Sequence, residues 1–188
     1  MARALSNVLG IDDSPFSRNH RGDVAIVGTV FARTRLDGVL IGRVRRDGRN
    51  ATQAVAGLLS RSLFVGHVRA VLLQGIAVAG FNVIDIHLLH AQLGLPVLVV
   101  ARRQPDFDAI RRALLSRVPG GTAKWRLIER AGEIEPLRGV FVQRAGLDLH
   151  QARALLEATT LHGTLPEPLR VAHLIAGALA TGHSRGRA

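Results

Sequence analysis

The chain has 188 residues, of which 47% are hydrophobic, and its formal net charge is +11. It is long enough for one filled core, and it lacks the run of about 20 apolar residues that a membrane-spanning helix needs. The absence of cysteine excludes disulfides, thiolate metal sites and a cysteine nucleophile. The first residues lack the apolar core of a secretory signal, so we expect a cytoplasmic protein.

The excess of positive charge predicts attraction to polyanions, and nucleic acid is the first candidate. A solvated basic surface that only keeps the protein in solution is the alternative. The signal is concentrated in the region 107–130, in Arg111, Arg112, Arg117, Lys124, Trp125 and Arg126. The basic side chains are predicted to hold a phosphate backbone, and the tryptophan either stacks a base or is a partly buried anchor.

The first part of the chain predicts three antiparallel strands and a helix. Apolar runs at 7–11, 24–31 and 35–44 are joined by short links, which favours a meander. The first run stops at the turn signal Asp12-Asp13-Ser14-Pro15. Apolar residues at helical spacing then predict a helix over 50–63.

The rest of the chain alternates strands and helices. Strands are predicted at 68–73, 96–101 and 138–142, and helices at 82–93, 107–118, 148–161 and 166–181. Asn82 is predicted to cap the helix 82–93, with Asp85 at its third position, and Gly120-Gly121 to be a break. This order predicts a mixed α/β sheet of five or six strands with helices on its faces. We expect one domain over 1–182 and a basic tail over 183–188.

Specific segments resemble the endonuclease V superfamily, which has a ribonuclease H-like fold. LGIDDSPF at 9–16 resembles its first strand, which ends on a metal-binding aspartate, and the strand–helix–strand at 72–100 resembles its central segment. GFNV at 80–83 and PEPLRVAH at 166–173 are similar to motifs of its uncharacterised, mainly archaeal branch. The resemblance implies a metal-dependent endonuclease for deaminated or damaged DNA or RNA, as in DNA repair.

The resemblance and the strand ends together indicate the candidate site residues. The catalytic candidates are Asp12, Asp47 and Gln74. The metal candidates are Asp12, Asp13 and Asp85, with Mg²⁺ or Mn²⁺ bound weakly. The cleft and substrate candidates are Gly75, Gly80, Phe81, Asn82, Arg170 and His173. Plain structural roles compete with these assignments: a strand-ending turn for Asp12 and Asp13, a helix cap for Asp85, and a surface ion pair for Glu167 with Arg170.

Three acidic positions of the archaeal branch are amides in this chain. Gln74 stands where the central strand ends on aspartate, and Asn50 and Gln53 stand at acidic positions of the segment 47–53. An amide oxygen coordinates Mg²⁺ without a net charge, so each change weakens metal binding. We therefore predict a nucleic-acid-binding protein with a degenerate metal site and weak or no cleavage. A working magnesium-dependent endonuclease and a protein–protein adaptor are the alternatives.

Overall fold

Residues 5–184, described by a computed structural model, fold around one seven-stranded mixed sheet. In chain order the elements are β1 (Asn7–Asp13), β2 (Asp23–Ala32), β3 (Arg35–Arg45), α1 (Ala51–Ser60), β4 (Ala70–Gln74), β5 (Ala77–Val78), β6 (Asn82–Val83), α2 (Ile86–Leu93), β7 (Val97–Ala101), α3 (Phe107–Arg117), α4 (Gly121–Arg130), β8 (Glu135–Leu137), β9 (Val140–Ala145), α5 (Leu149–Thr159) and α6 (Glu167–Thr181). The final residues of the predicted tail, 185–188, lie outside the described part.

The predicted meander and the mixed α/β architecture are confirmed. The strand order is β3-β2-β1-β4-β7-β9-β8, in which β1 pairs antiparallel with β2 and parallel with β4. The sheet has seven strands, more than predicted, because the short β8 pairs with β9 and extends the sheet beyond β7. None of the helices within residues 5–184 has the length and apolar content to cross a membrane.

Side chains of the central strands point alternately to the two faces of the sheet, so the core has two layers. On one face, Ile11 and Leu73 pack with α1 and α2 residues such as Leu59 and Leu89. On the other face, residues such as Leu72 and Val100 pack with α5 and the start of α6. The parallel strands are buried on both faces, as their continuous apolar character predicts.

Two local predictions are wrong. The helix predicted at 82–93 begins at Ile86, and its cap is Asp85, whose Oδ1 accepts the Leu88 N–H at 3.1 Å. Asn82 instead lies buried in β6. The predicted break at Gly120-Gly121 is the start of the unpredicted helix α4. A Cβ at residue 121 would collide with the Leu114 carbonyl of α3, so this glycine permits the close approach of two helices.

Candidate functional site at the strand ends

The carboxyl ends of β1 and β4 bring Asp12 and Gln74 to adjacent positions. The two strands are parallel, and Ile11 is the register partner of Leu73. Asp12 and Gln74 are the next residues along, and both alternate onto the face that α5 and α6 cover. Such strand ends are where open α/β sheets place ligands. Two of the catalytic candidates, Asp12 and Gln74, therefore lie next to each other at this edge.

Helix α6 adds His173 to this edge. Its Nδ1 donates a hydrogen bond to Oδ2 of the buried Asp12 at 2.8 Å. The helix lies close because β1 has Gly10 beneath it: a Cβ there would lie 2.6 Å from the carbonyl carbon of Pro168. Thr29 Oγ1 also donates to the Pro168 carbonyl at 2.6 Å. The hydrogen bond to Asp12 raises the pKa of His173 above its ordinary value, which favours an imidazolium–carboxylate pair.

Asp13 points to the opposite face of the sheet and serves a neighbouring loop. Its Oδ2 accepts the Ala79 N–H at 2.9 Å. Burial, and then the charge of Asp12, raise the pKa of Asp13 from 3.8 to about 6, although the hydrogen bond from Ala79 acts against them. At pH 7 this carboxyl is therefore mostly ionised, and it carries a charge that its burial disfavours.

Asp47 lies near Asp13, but its carboxylate is already engaged. Its backbone N–H donates to the Ala79 carbonyl at 2.9 Å, which connects it to the loop that Asp13 holds. Its Oδ1 accepts the Phe81 N–H at 2.8 Å, and its Oδ2 lies 3.2 Å from Arg46 Nε. Through these contacts Asp47 stabilises the loop between β5 and β6.

Gln74 differs from these carboxylates because its side-chain oxygen is free. Within residues 5–184, Oε1 of Gln74 is buried and has no hydrogen-bond partner. A buried acceptor without a partner carries a desolvation cost that native proteins usually avoid. An oxygen of this kind, beside Asp12, has the donor chemistry to coordinate a hard cation.

The chain matches the family described as endonuclease dU over residues 5–180. The chain belongs to the endonuclease dU family. It is 58% identical to a UPF0215 protein of Deinococcus radiodurans, over 97% of this chain and 93% of that protein. A solved structure of a protein of unknown function from Archaeoglobus fulgidus matches with a TM-score of 0.86 at 33% identity, over 92% of this chain and 97% of that one.

Two endonuclease V structures share the fold at low sequence identity. The Bacillus subtilis enzyme matches with a TM-score of 0.62 at 12% identity, over 94% of this chain and 81% of that one. The Ciona intestinalis enzyme, solved with inosine-containing DNA, matches with a TM-score of 0.57 at 14% identity, over 89% and 82%. The ribonuclease H-like fold and the resemblance to the endonuclease V superfamily are confirmed.

The three predicted metal ligands do not form one group in this endonuclease dU family member. Among residues 5–184, no cluster of three or more histidine, aspartate or glutamate side chains is arranged to hold a metal ion. Besides capping α2, Asp85 forms an ion pair with Arg130. Its structural role therefore replaces the predicted metal role, because its negative charge is already balanced.

The predicted cleft residues fall into two groups: some line a cavity, and others have hydrogen-bonded side chains. Gly75, Gly80 and Phe81 line an apolar cavity of about 210 Å³ at the ends of β4 and β7, together with Phe107 and Ile110. A larger cavity, of about 890 Å³, lies at the other end of the sheet beside Ser6 and Pro96, and holds none of the predicted site residues.

Asn82 and Arg170, also predicted for the cleft, have bonded side chains. Asn82 Oδ1 accepts the Ala51 N–H at 3.0 Å, and its Nδ2 donates to the Arg45 carbonyl at 2.9 Å. Arg170 forms a two-pronged ion pair with the buried carboxylate of Glu167. Asn82 is therefore a structural amide rather than a substrate ligand, and Arg170 chiefly neutralises Glu167.

The predicted basic surface on α3 and α4 is only partly available. Arg111, Arg112, Arg117 and Arg126 are exposed, and none forms an ion pair with another residue of the described chain. Lys124 is buried, and its Nζ donates to the Asp47 carbonyl at 2.5 Å, so the prediction that it holds phosphate is wrong. Trp125 is half-buried against Phe107 and donates to Glu129 Oε1 at 2.6 Å, which favours the anchor role.

One basic residue at the strand ends, Arg102, was not predicted from the sequence. Arg102 directly follows β7, the third parallel strand of this edge. It is exposed and close enough for its charge to oppose the rise in the pKa of His173. Its position immediately after a buried strand was a usable signal, because the same rule identified Asp12 and Gln74.

Proposed function

We propose that this protein binds nucleic acid across the ends of β1, β4 and β7, and that its metal site is too poor in negative charge for efficient cleavage. The proposal rests on the partners and orientations of the nearby carboxylates. Asp12 is paired with His173, Asp13 points to the opposite face of the sheet, Asp47 is bonded to a loop, and Asp85 is paired with Arg130. Little uncompensated negative charge remains for a divalent cation.

Nucleic-acid binding is supported by charge and by family. The net charge is +11, and four exposed arginines lie on α3 and α4, the helices that contribute Phe107 and Ile128 to the lining of the cavity at Gly75. Endonuclease dU is the description of the family, and the endonuclease V of Ciona intestinalis, which has the same fold, was solved with DNA. A basic surface beside a strand-end cleft suits a phosphate backbone, whether of DNA or of RNA.

The donor set fits one weakly held Mg²⁺ or Mn²⁺ better than two. Asp12 offers a carboxylate, and Gln74 offers a buried amide oxygen that lacks another partner. A bound cation supplies polarisation of a phosphodiester. His173 competes with it, because the protonated imidazole pairs with the same Asp12 carboxylate. Two cations require more carboxylates than this edge offers.

A slow endonuclease for deaminated DNA is the second candidate. The family description names deoxyuridine, and the unbonded Gln74 oxygen is a feature that a metal would satisfy. The apolar cavity of about 210 Å³ beside Gly75 has a size and lining suited to one extruded base. In this case the protein acts in DNA repair in the cytoplasm.

Cleavage assays distinguish the two candidates. Single strands that contain deoxyuridine, inosine or neither are incubated with Mg²⁺ or Mn²⁺ and with wild type, Gln74→Asp or Asp12→Asn. We expect little cleavage by the wild type and tighter Mn²⁺ binding by Gln74→Asp, because a charged ligand is restored. Asp12→Asn is expected to lose metal binding and to keep its affinity for the strands. Robust metal-dependent cleavage by the wild type, lost in Asp12→Asn, would establish the second candidate.

The nucleic-acid interface has a separate test. Affinity for a fluorescent single strand is measured by anisotropy between about 50 and 200 mM salt, where counterion release makes binding fall steeply. Replacing Arg112 and Arg126 with glutamine is expected to weaken binding and to flatten the salt slope. The matched control replaces the exposed Arg61, at the end of α1, and the exposed Arg153, on α5. Equal losses in both variants would contradict an interface on α3 and α4.

A further inference from the structure

The two edges of the main sheet differ in how they are protected. At one edge, β8 has three residues, and one of them is Pro136, which has no N–H to offer to another strand. At the other edge, β3 has eleven residues, and its outer side is unpaired within the described chain. A long open edge strand is a template for pairing with another strand.

Backbone hydrogen bonds define which part of β3 is open. The Arg46 N–H donates to the Gly22 carbonyl at 3.0 Å, so the even-numbered residues of β3 face β2. The odd-numbered residues Val39, Ile41 and Arg43 therefore direct their N–H and C=O groups outward. Arg45 is no longer open, because its N–H donates to Asn50 and its C=O accepts from Asn82.

Asp37 marks the other end of the open stretch. The register between β2 and β3 shifts there, since Val30 pairs with Gly38 and Phe31 pairs with Leu36. The regular open edge is thus bounded by Asp37 and Arg43. Its sequence, DGVLIGR, is symmetric in chemical type about Leu40: an acid faces a base, glycine faces glycine, and valine faces isoleucine.

Exposed apolar side chains flank this edge on both faces of the sheet, because Val39 and Ile41 alternate onto the face opposite the one that Phe64 covers. Half of the ten large hydrophobic residues that are exposed in the described chain lie on β3 or on the loop after α1: Leu36, Val39, Ile41, Leu63 and Val65. The loop is adjacent to the strand because the Phe64 ring lies against Gly38. Leu63 is 92% exposed. Exposed apolar side chains along an open edge strand indicate a protein partner rather than a phosphate backbone.

We propose that a second copy of this chain binds here, by antiparallel pairing of β3 with β3 about a twofold axis at Leu40. Val39 then lies opposite the partner's Ile41, and their outward backbone groups form hydrogen-bonded pairs on both sides of the axis. Asp37, whose carboxylate Arg35 of the same strand contacts at 2.7 Å, lies opposite the partner's Arg43, twice by symmetry, so each carboxylate is shared between two guanidinium groups. The strand is complementary to itself in charge, in apolar character and in backbone direction.

The neighbouring registers are poorer. An axis at Val39 sets Asp37 opposite the partner's Ile41 and leaves Arg43 beyond the partner's regular edge, so no opposite charges face each other. An axis at Ile41 requires the outward groups of Arg45, which Asn50 and Asn82 already use. An axis one residue away from Leu40 also ends the opposition of Val39 and Ile41. Leu40 is therefore the centre that the sequence and the hydrogen bonds select together.

A charge-swap experiment tests this pairing with the full chain. Sedimentation is expected to give a species of twice the 20.2 kDa monomer mass. Asp37→Arg and Arg43→Asp each create two like-charge pairs and are expected to weaken the dimer about tenfold or more. An equimolar mixture of the two variants restores opposite charges at both positions, and it is expected to recover the wild-type affinity. The double variant, which carries both Asp37→Arg and Arg43→Asp, is expected to recover the wild-type affinity as well.

The controls exclude effects of net charge and of misfolding. Glu157→Arg and Arg153→Asp make the same charge changes on the exposed face of α5 and are expected to leave dimerisation unchanged. Hydrogen exchange reports the register directly: amides of Val39, Ile41 and Arg43 are protected only in the dimer, whereas those of Leu40 and Gly42 are protected in both states. A monomer at every concentration up to about 100 µM, or a dimer indifferent to both swaps, would overturn the proposal.

Discussion

Replacing Asp13 with asparagine is expected to stabilise the protein at neutral pH. The carboxyl is half-buried, and burial raises its pKa from 3.8 to about 6, with a further contribution from the charge of Asp12. Asparagine keeps an oxygen for the Ala79 N–H, which lies 2.9 Å from the native carboxylate. It removes the charge that burial disfavours.

The pH window follows from the direction of this change. Below about pH 3.8 both the folded and the unfolded chain hold the proton, and the native aspartic acid costs nothing. Between pH 3.8 and about 6 the folded state keeps a proton that the unfolded chain has lost, so stability falls as the pH rises. The full difference between the folded and unfolded pKa values of Asp13 corresponds to about 3 kcal/mol of unfolding free energy. Residual solvent contact of the carboxyl reduces the gain expected for Asp13→Asn to about 1–2 kcal/mol.

Urea unfolding of wild type and Asp13→Asn, in chelator and at several pH values between about 4 and 7, measures this gain. The gain should be small at the acid end and largest above pH 6. Asp37→Asn is the matched control, because the hydrogen bond from Arg35 lowers the pKa of Asp37. This control should lose stability at neutral pH, and the loss should vanish as the pH falls. A gain for Asp13→Asn that is independent of pH, or a loss at pH 7, would refute the reasoning.

Three further substitutions test the packing around the site. Gly10→Ala places a Cβ 2.6 Å from the Pro168 carbonyl carbon; thermal unfolding should report a loss of about 1–3 kcal/mol, and NMR titration should report a lower His173 pKa. Asn82→Ala leaves the Ala51 N–H without its partner and removes one of two hydrogen bonds to the Arg45 carbonyl, a loss of about 1–3 kcal/mol in urea unfolding. Lys124→Met breaks the bond to the Asp47 carbonyl; it should lower the unfolding midpoint while anisotropy shows unchanged nucleic-acid affinity. Stability equal to wild type in any of the three would contradict the contact concerned.

The order of strands and helices could be predicted from the sequence because the patterns that indicate them are local. Apolar runs mark the buried parallel strands, and 3.6-residue periodicity marks helices such as α5 and α6. The same rule places Asp12 and Gln74, since both follow directly on a buried strand. Helix α4 was missed because its two glycines suggest a break. Gly121 permits a close contact with α3 that no local pattern records, and Gly120 has a positive φ at the start of the helix.

The chemistry of the candidate site was decided by the tertiary structure. Asp12, Asp13, Asp47 and Asp85 look alike as carboxylates in the sequence, yet their partners lie between 1 and 161 positions away. Whether a carboxylate is free depends on those partners, and packing of distant elements supplies them. The sequence by itself therefore determined the fold class and the positions of the strand ends. Only the folded chain decided which charges there are balanced, because charge compensation depends on distance in space.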